Sequence, residues 1–240
     1  MKDNLKFINT NMKKISIVLF LFCSIKASAQ QDINVLLAKA KATIESVNDY
    51  KATGRMKTNV AFLKVPIANV NVYFKKPNKL KVKSEKGISF IPKGAVSINL
   101  TNLTGTNKFT VIDAGMDKIA GKNVRVAKLL PTDDNSDVVL STVYIDEVTS
   151  LIKKAKTTTK DNGTYELEMT YGKYAPFGLP DKIIFSFNAK DYKLPKGITF
   201  DFDDGAVPPT TDKLKGKKGR AEITFSNYVV NKGVEDALFK

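Results

Sequence analysis

The 240-residue chain contains no histidine and a single cysteine, Cys23, which falls inside an apolar N-terminal run. Those two scarcities remove most hydrolytic and redox chemistry. Imidazole is the only side chain whose unperturbed pKa lies near neutrality, and thiolate is the strongest protein nucleophile. Ser-His-Asp triads, Cys-His pairs, His or Cys zinc sites and thioredoxin-like motifs are therefore excluded. The balance moves from catalysis towards binding. No internal repeat stands out, and no linker divides the chain.

The N-terminal segment has the three-part layout of a secretory signal. Lys13 and Lys14 precede an apolar stretch from Ile15 to Ile25, and Ala27-Ser28-Ala29 follows as a small-x-small cleavage site. The stretch is 11 residues long, against about 20 needed to cross a bilayer. The competing reading is a buried N-terminal helix. Met12 directly precedes the lysine pair, so translation can start at Met1 or Met12. Phe22 is bulky where a lipoprotein box needs a small residue, which argues against lipid modification of Cys23. The expectation is a soluble periplasmic protein: residues 1–29 as signal peptide cleaved after Ala29, and 30–240 as one domain.

Five lysines and Asp3 lie in residues 1–29, so +11 of the formal +15 charge remains beyond the cleavage site. Such a surplus attracts anionic surfaces such as phospholipid or lipopolysaccharide headgroups. Export makes nucleic acid an improbable partner. Without Cys23 no disulfide can form, so a hydrophobic core must hold the fold.

Ile33, Leu36, Leu37, Ala40, Ile44 and Val47 recur at three- and four-residue spacing, and Asp32 can cap the N-terminus. This predicts one amphipathic helix over 32–47. After Tyr50 the period becomes two. Val70, Val72 and Phe74 alternate with polar residues, Lys76-Pro77-Asn78 turns the chain, and Leu80 and Val82 resume the pattern. Further strands are predicted at 124–128, 138–145, 165–171, 183–187, 198–202 and 223–229, with turn residues between them. A second helix is considered within 113–120, and 206–219 reads as a long surface loop. The fold class is α+β: a large curved antiparallel sheet with an N-terminal amphipathic helix and further covering helices. One helix is too little to cover the apolar face of eight or more strands, which hints at a hydrophobic cavity.

Three clusters invite chemistry. Asp133-Asp134-Asn135-Ser136-Asp137 resembles the start of a calcium loop, but Val138 and Tyr144 stand where glycine and the bidentate glutamate belong. It reads as a solvated acidic turn. Asp201 and Asp203 alternate with Phe200 and Phe202, so the pair lies on a strand's polar face rather than as facing glycosidase carboxylates. Asn102-Leu103-Thr104 fits a glycosylation acceptor by pattern only. Lys213, Lys215, Lys217 and Lys218 form the densest positive run, either a solvated loop or a contact with an anionic surface. No metal site and no cofactor are expected.

The run VNVYFKKPNKLKV resembles the strand-turn-strand signature of the LolA/LolB-like lipoprotein-carrier superfamily. Three further pieces follow in the family's order: TVYIDEVTSLIKKA, NGTYELEMTYGKYAPFGLPDKIIFSF and AEITFSNYVVNKGV. In the second, Asp146 and Glu147 would sit at a hairpin turn; in the third, Gly178 to Phe187 would mark a later hairpin. Together they span about Asp32 to Val234. The resemblance implies a half-open β-barrel closed by helices, a cavity for acyl chains, a periplasmic carrier role and no enzymatic activity. Arg55 is the only early arginine, but no surrounding motif equates it with the lid-holding arginine of the carrier proper.

The leading expectation is therefore a carrier that binds lipid or a lipidated protein, with a membrane surface or membrane transport complex as further partner. Phe74, Leu80, Leu167 and Met169 are the candidate lipid-binding residues, with an ordinary core role as the alternative for each. A sensor or adaptor of the same fold, and a carbohydrate-active enzyme using Asp201 and Asp203, are the competing functions.

Overall fold

The computed structural model describes residues 32–59, 67–77, 79–84, 109–161, 163–188 and 218–239. Helix α1 (Ile33–Glu45) forms as the spacing predicts. The Asp32 carboxylate accepts the Asn34 N–H at 2.7 Å, and Ile33, Leu36 and Ala40 are its buried stripe. It ends where the Ser46 N–H reaches back to the Ala42 carbonyl.

Among the described residues ten strands follow: β1 (Asp49–Asn59), β2 (Ala68–Lys75), β3 (Lys79–Ser84), β4 (Phe109–Ile119), β5 (Lys122–Pro131), β6 (Val138–Asp146), β7 (Ile152–Thr159), β8 (Gly163–Thr170), β9 (Lys182–Asn188) and β10 (Lys218–Val230). They make one antiparallel sheet in the order β3-β2-β1-β10-β9-β8-β7-β6-β5-β4. The first and last strands pair inside the sheet, third and fourth from the β3 edge, through ten register pairs from Tyr50↔Val230 to Asn59↔Arg220. Edges β3 and β4 do not pair with each other, so the sheet is open, consistent with a half-barrel. Of the expected covering helices, the described residues hold α1 and two single 3-10 turns, Ala175–Phe177 and Asp236–Phe239. The strand expected at 198–202 and most of the 206–219 loop lie outside them.

The second helix considered at 113–120 is instead strand β4. Met116, Ala114 and Lys118 suit a helix, but two glycines decide otherwise. Gly115 has φ +83°, and the Asp113 carboxylate accepts its N–H at 2.9 Å, building a bulge between Asp113 and Met116. Ala120 and Gly121 both have positive φ, 48° and 77°, which makes a tight two-residue hairpin onto β5.

The β6–β7 hairpin turns at Asp146-Glu147, where the family resemblance places it. The Asp146 carboxylate accepts the Val148 and Thr149 N–H groups, each at 3.0 Å, and Glu147 opens the turn. The acidic run at 133–137 is likewise a turn: the Asp133 carboxylate accepts the Asn135 N–H at 2.9 Å.

Candidate functional site

Cross-strand register places one set of alternate residues on the face that carries α1, here called the inner face. Leu80 lies opposite Phe74, Phe74 opposite Tyr50, Met56 opposite Ile223, Ile223 opposite Ile183, and Ile183 opposite Met169. All four candidate lipid-binding residues share this face. They fall in two different neighbourhoods.

Leu167 and Met169, 2% and 6% exposed, belong to the cluster under α1. There Ile33, Leu36 and Ala40 meet Leu129, Val143 and Ile145 from the sheet. The Phe187 ring lies across Gly219: a Cβ added there would stand 2.2 Å from the ring's Cζ. Gly178 (φ +65°) closes the edge of this neighbourhood, since its Cβ would meet Ile44 and Thr43 of α1 at 3.3 Å.

Phe74 and Leu80 belong to the β1–β3 end, which is built from aromatic rings. Phe74 stacks on Tyr50 with centroids 5.3 Å apart, and Tyr50 meets Tyr228 edge-on at 5.5 Å. Phe225 and Tyr174 pack on Tyr228 at 5.0 and 4.9 Å. The Tyr228 hydroxyl donates to the Pro180 carbonyl at 2.7 Å, and that of Tyr174 to Asn227 Oδ1 at 2.8 Å. Burial pushes the Tyr50 and Tyr228 phenols well above their usual range, so both stay neutral. Phe74 is 7% exposed, whereas Leu80, Val82, Phe225 and Val230 are only half-buried.

The inner face also carries a charged pair. Arg125, 5% exposed, donates to the Asp113 carboxylate at the β4 bulge, and its other terminal nitrogen contacts Met116 Sδ at 3.7 Å. The guanidinium first, and the Gly115 N–H second, hold the Asp113 carboxyl below the usual range. This pair and the aromatic cluster escaped the sequence reading. Its only linear signal is two opposite charges flanking the Ala120-Gly121 hairpin. Tyr174 and Tyr228 came within the quoted motifs but had no pattern of their own.

Lys213, Lys215 and Lys217 lie outside the described residues, as do Asp201 and Asp203. Lys218 opens β10 opposite Asn188, and its side chain lies outside them too. Arg55 is exposed on the opposite face of β1. Among the described residues no cluster of His, Cys, Asp and Glu could hold a metal ion, and no helix is long and apolar enough to cross a membrane.

This fold has counterparts among solved structures. A domain from Vibrio parahaemolyticus assigned to outer membrane lipoprotein sorting aligns with a TM-score of 0.52 at 14% identity, covering 85% of this chain and 94% of that one. A LolA-superfamily protein from Nitrosomonas europaea aligns with a TM-score of 0.52 at 10% identity, covering 88% and 98%. This chain has the fold of the LolA superfamily. A DUF1329-family protein from Desulfovibrio piger aligns with a TM-score of 0.53 at 13% identity, covering 88% and 98%. No family model matches the chain, and no curated protein matches it in sequence.

Proposed function

We propose that the protein is an exported, non-enzymatic carrier that holds acyl chains of a lipid or lipidated protein on the aromatic half of its inner face. The observation that carries this reading is the row of half-buried apolar side chains, Leu80, Val82, Phe225 and Val230, beside neutral aromatic rings. Each buried methylene contributes about 0.8 kcal/mol, so an acyl chain needs no specific polar chemistry to be held. The LolA-like fold supports the reading, and the signal-like segment 1–29 supports export with 30–240 as the carrier domain. Leu80 is then the ligand-contacting member of the four candidates, with Phe74 directly opposite it on β2 and stacked on Tyr50. Lys213, Lys215, Lys217 and Lys218 remain a candidate anionic contact. A role in lipoprotein sorting is the finer form of this proposal.

Native mass spectrometry of freshly purified protein, with lipid extraction, tests it. The expected result is an adduct of lipid mass that a fluorescent fatty acid analogue displaces. A protein that carries no lipid and takes up no such probe refutes the proposal.

A further inference from the structure

The outer face, opposite α1, is not evenly charged. Across β7–β10 three of its cations have carboxylates, with Lys156 the exception: Lys154 pairs with Glu166, Lys182 with Glu222 at 2.8 Å, and Arg220 with Glu222 at 3.3 Å. At the β1–β3 end Lys75 and Lys79 share Asp236 at 3.0 and 2.8 Å, but a larger group of cations has no such partner. Lys51, Arg55 and Lys57 of β1 and Lys83 of β3 are exposed and pair with no carboxylate among the described residues. The register explains why. Lys51 lies between Tyr73 and Val229, Arg55 between Asn69 and Thr224, and Lys83 opposite Asn71. Lys57 does lie opposite Glu222, but that carboxylate is already engaged by Lys182 and Arg220.

Strand geometry fixes the size of this patch. Residues two apart on one strand are about 6.7 Å apart and neighbouring strands about 4.8 Å, so the four cations spread over roughly 20 by 10 Å. Such a grouping repels itself unless anions neutralise it. Apolar groups lie among the charges: Val229 is 42% exposed beside Lys51, Ile67 is 51% exposed at the start of β2, and Lys83 sits 5.9 Å from the centre of the Tyr73 ring. A phosphate backbone would use the cations and leave the apolar groups idle. A bilayer interface uses both, with headgroup phosphates meeting the cations and the tyrosine and aliphatic groups at the headgroup level.

We propose that the outer face of β1–β3 docks the protein on the anionic headgroups of a membrane. This surface is separate from the inner face, and it stands whatever that face holds. Co-sedimentation with vesicles of pure phosphatidylglycerol and of pure phosphatidylcholine tests it. The wild type binds the former in low salt, releases it in high salt, and ignores the latter. Each charge contributes roughly fivefold, so Lys51→Gln, Arg55→Gln and Lys83→Gln together weaken binding roughly 100-fold. A control with equal charge loss elsewhere, Lys122→Gln, Lys128→Gln and Lys156→Gln, weakens it several-fold at most, and circular dichroism shows both variants folded. Four results overturn the proposal: no binding by the wild type, equal binding to phosphatidylcholine, equal losses in the two triple variants, or double-stranded DNA bound while vesicles are not. Leu80→Asn, which bears on lipid uptake alone, leaves vesicle binding unchanged.

Discussion

Leu36 of α1 and, beneath it, Leu129, Val143 and Ile145 of the sheet are all fully buried. At the β1–β3 end of the same face, Leu80, Val82, Phe225 and Val230 keep part of their surface exposed. Both ends follow the same strand alternation, so the difference is in what lies on top. A helix about 10 Å across spans two to three strands at about 4.8 Å spacing. One helix of 13 residues therefore cannot roof ten strands by itself. The α1 end is closed by the apolar stripe of the helix laid on the sheet, and the other by rings packed on rings with Tyr174 and Leu179 beside them. A closed core stabilises; a face that is half closed can also receive a ligand.

Substitutions at the two ends should separate those roles. The largest effect is expected for Phe185→Ala, since this side chain is 2% exposed and packs on Tyr165 and Phe187. Its loss should cost about 3–5 kcal/mol in chemical denaturation. Destabilisation below about 1 kcal/mol would mean that the α1 end is not the closed core described here.

Next in size is Asp113→Asn, which leaves the Arg125 guanidinium without its carboxylate. Because the Asp113 pKa is lowered on folding, the pair stabilises the protein above the carboxylate's unfolded pKa. That stability is lost as pH falls through the lower folded value. Wild-type denaturation midpoints should therefore fall on the acid side, and the variant should show a lower midpoint at neutral pH with a flatter acid limb. Parallel pH profiles would remove Asp113 from the account.

The smallest change in stability should come at the open end. Met169→Gln buries an amide under α1 and should cost about 2 kcal/mol while leaving fatty-acid probe uptake by the folded protein intact. Leu80→Asn, on a half-buried edge-strand side chain, should cost less than about 1 kcal/mol yet weaken the probe at least tenfold. The reverse pattern would place the ligand under α1 instead.

Much of the fold was legible locally. The α1 stripe, the Lys76-Pro77 turn and most of the strands follow from spacing and turn residues within a few positions of one another, while the Asp146 turn was expected from the family resemblance. Strand β4 was not, because Ala, Met and Lys in 114–118 favour a helix, and only pairing with β5 rewards the bulge at Gly115. The phenol cluster was not legible either: Tyr50 and Tyr228 meet through the β1–β10 pairing, 178 residues apart in the chain.

Sequence alone determined which chemistry has no side chains here, histidine and paired cysteine chemistry, since side chains a sequence lacks cannot be supplied by folding. It also determined that Phe74, Leu80, Leu167 and Met169 are apolar positions of alternating strands. Which of them is sealed and which retains exposed surface was decided by tertiary structure. Alternation fixes the side of a strand on which a residue lies, but cover comes from elements distant in the chain. Helix α1, 122 residues before Leu167 at its nearest point, lies over one end of the sheet and leaves Leu80 at the other.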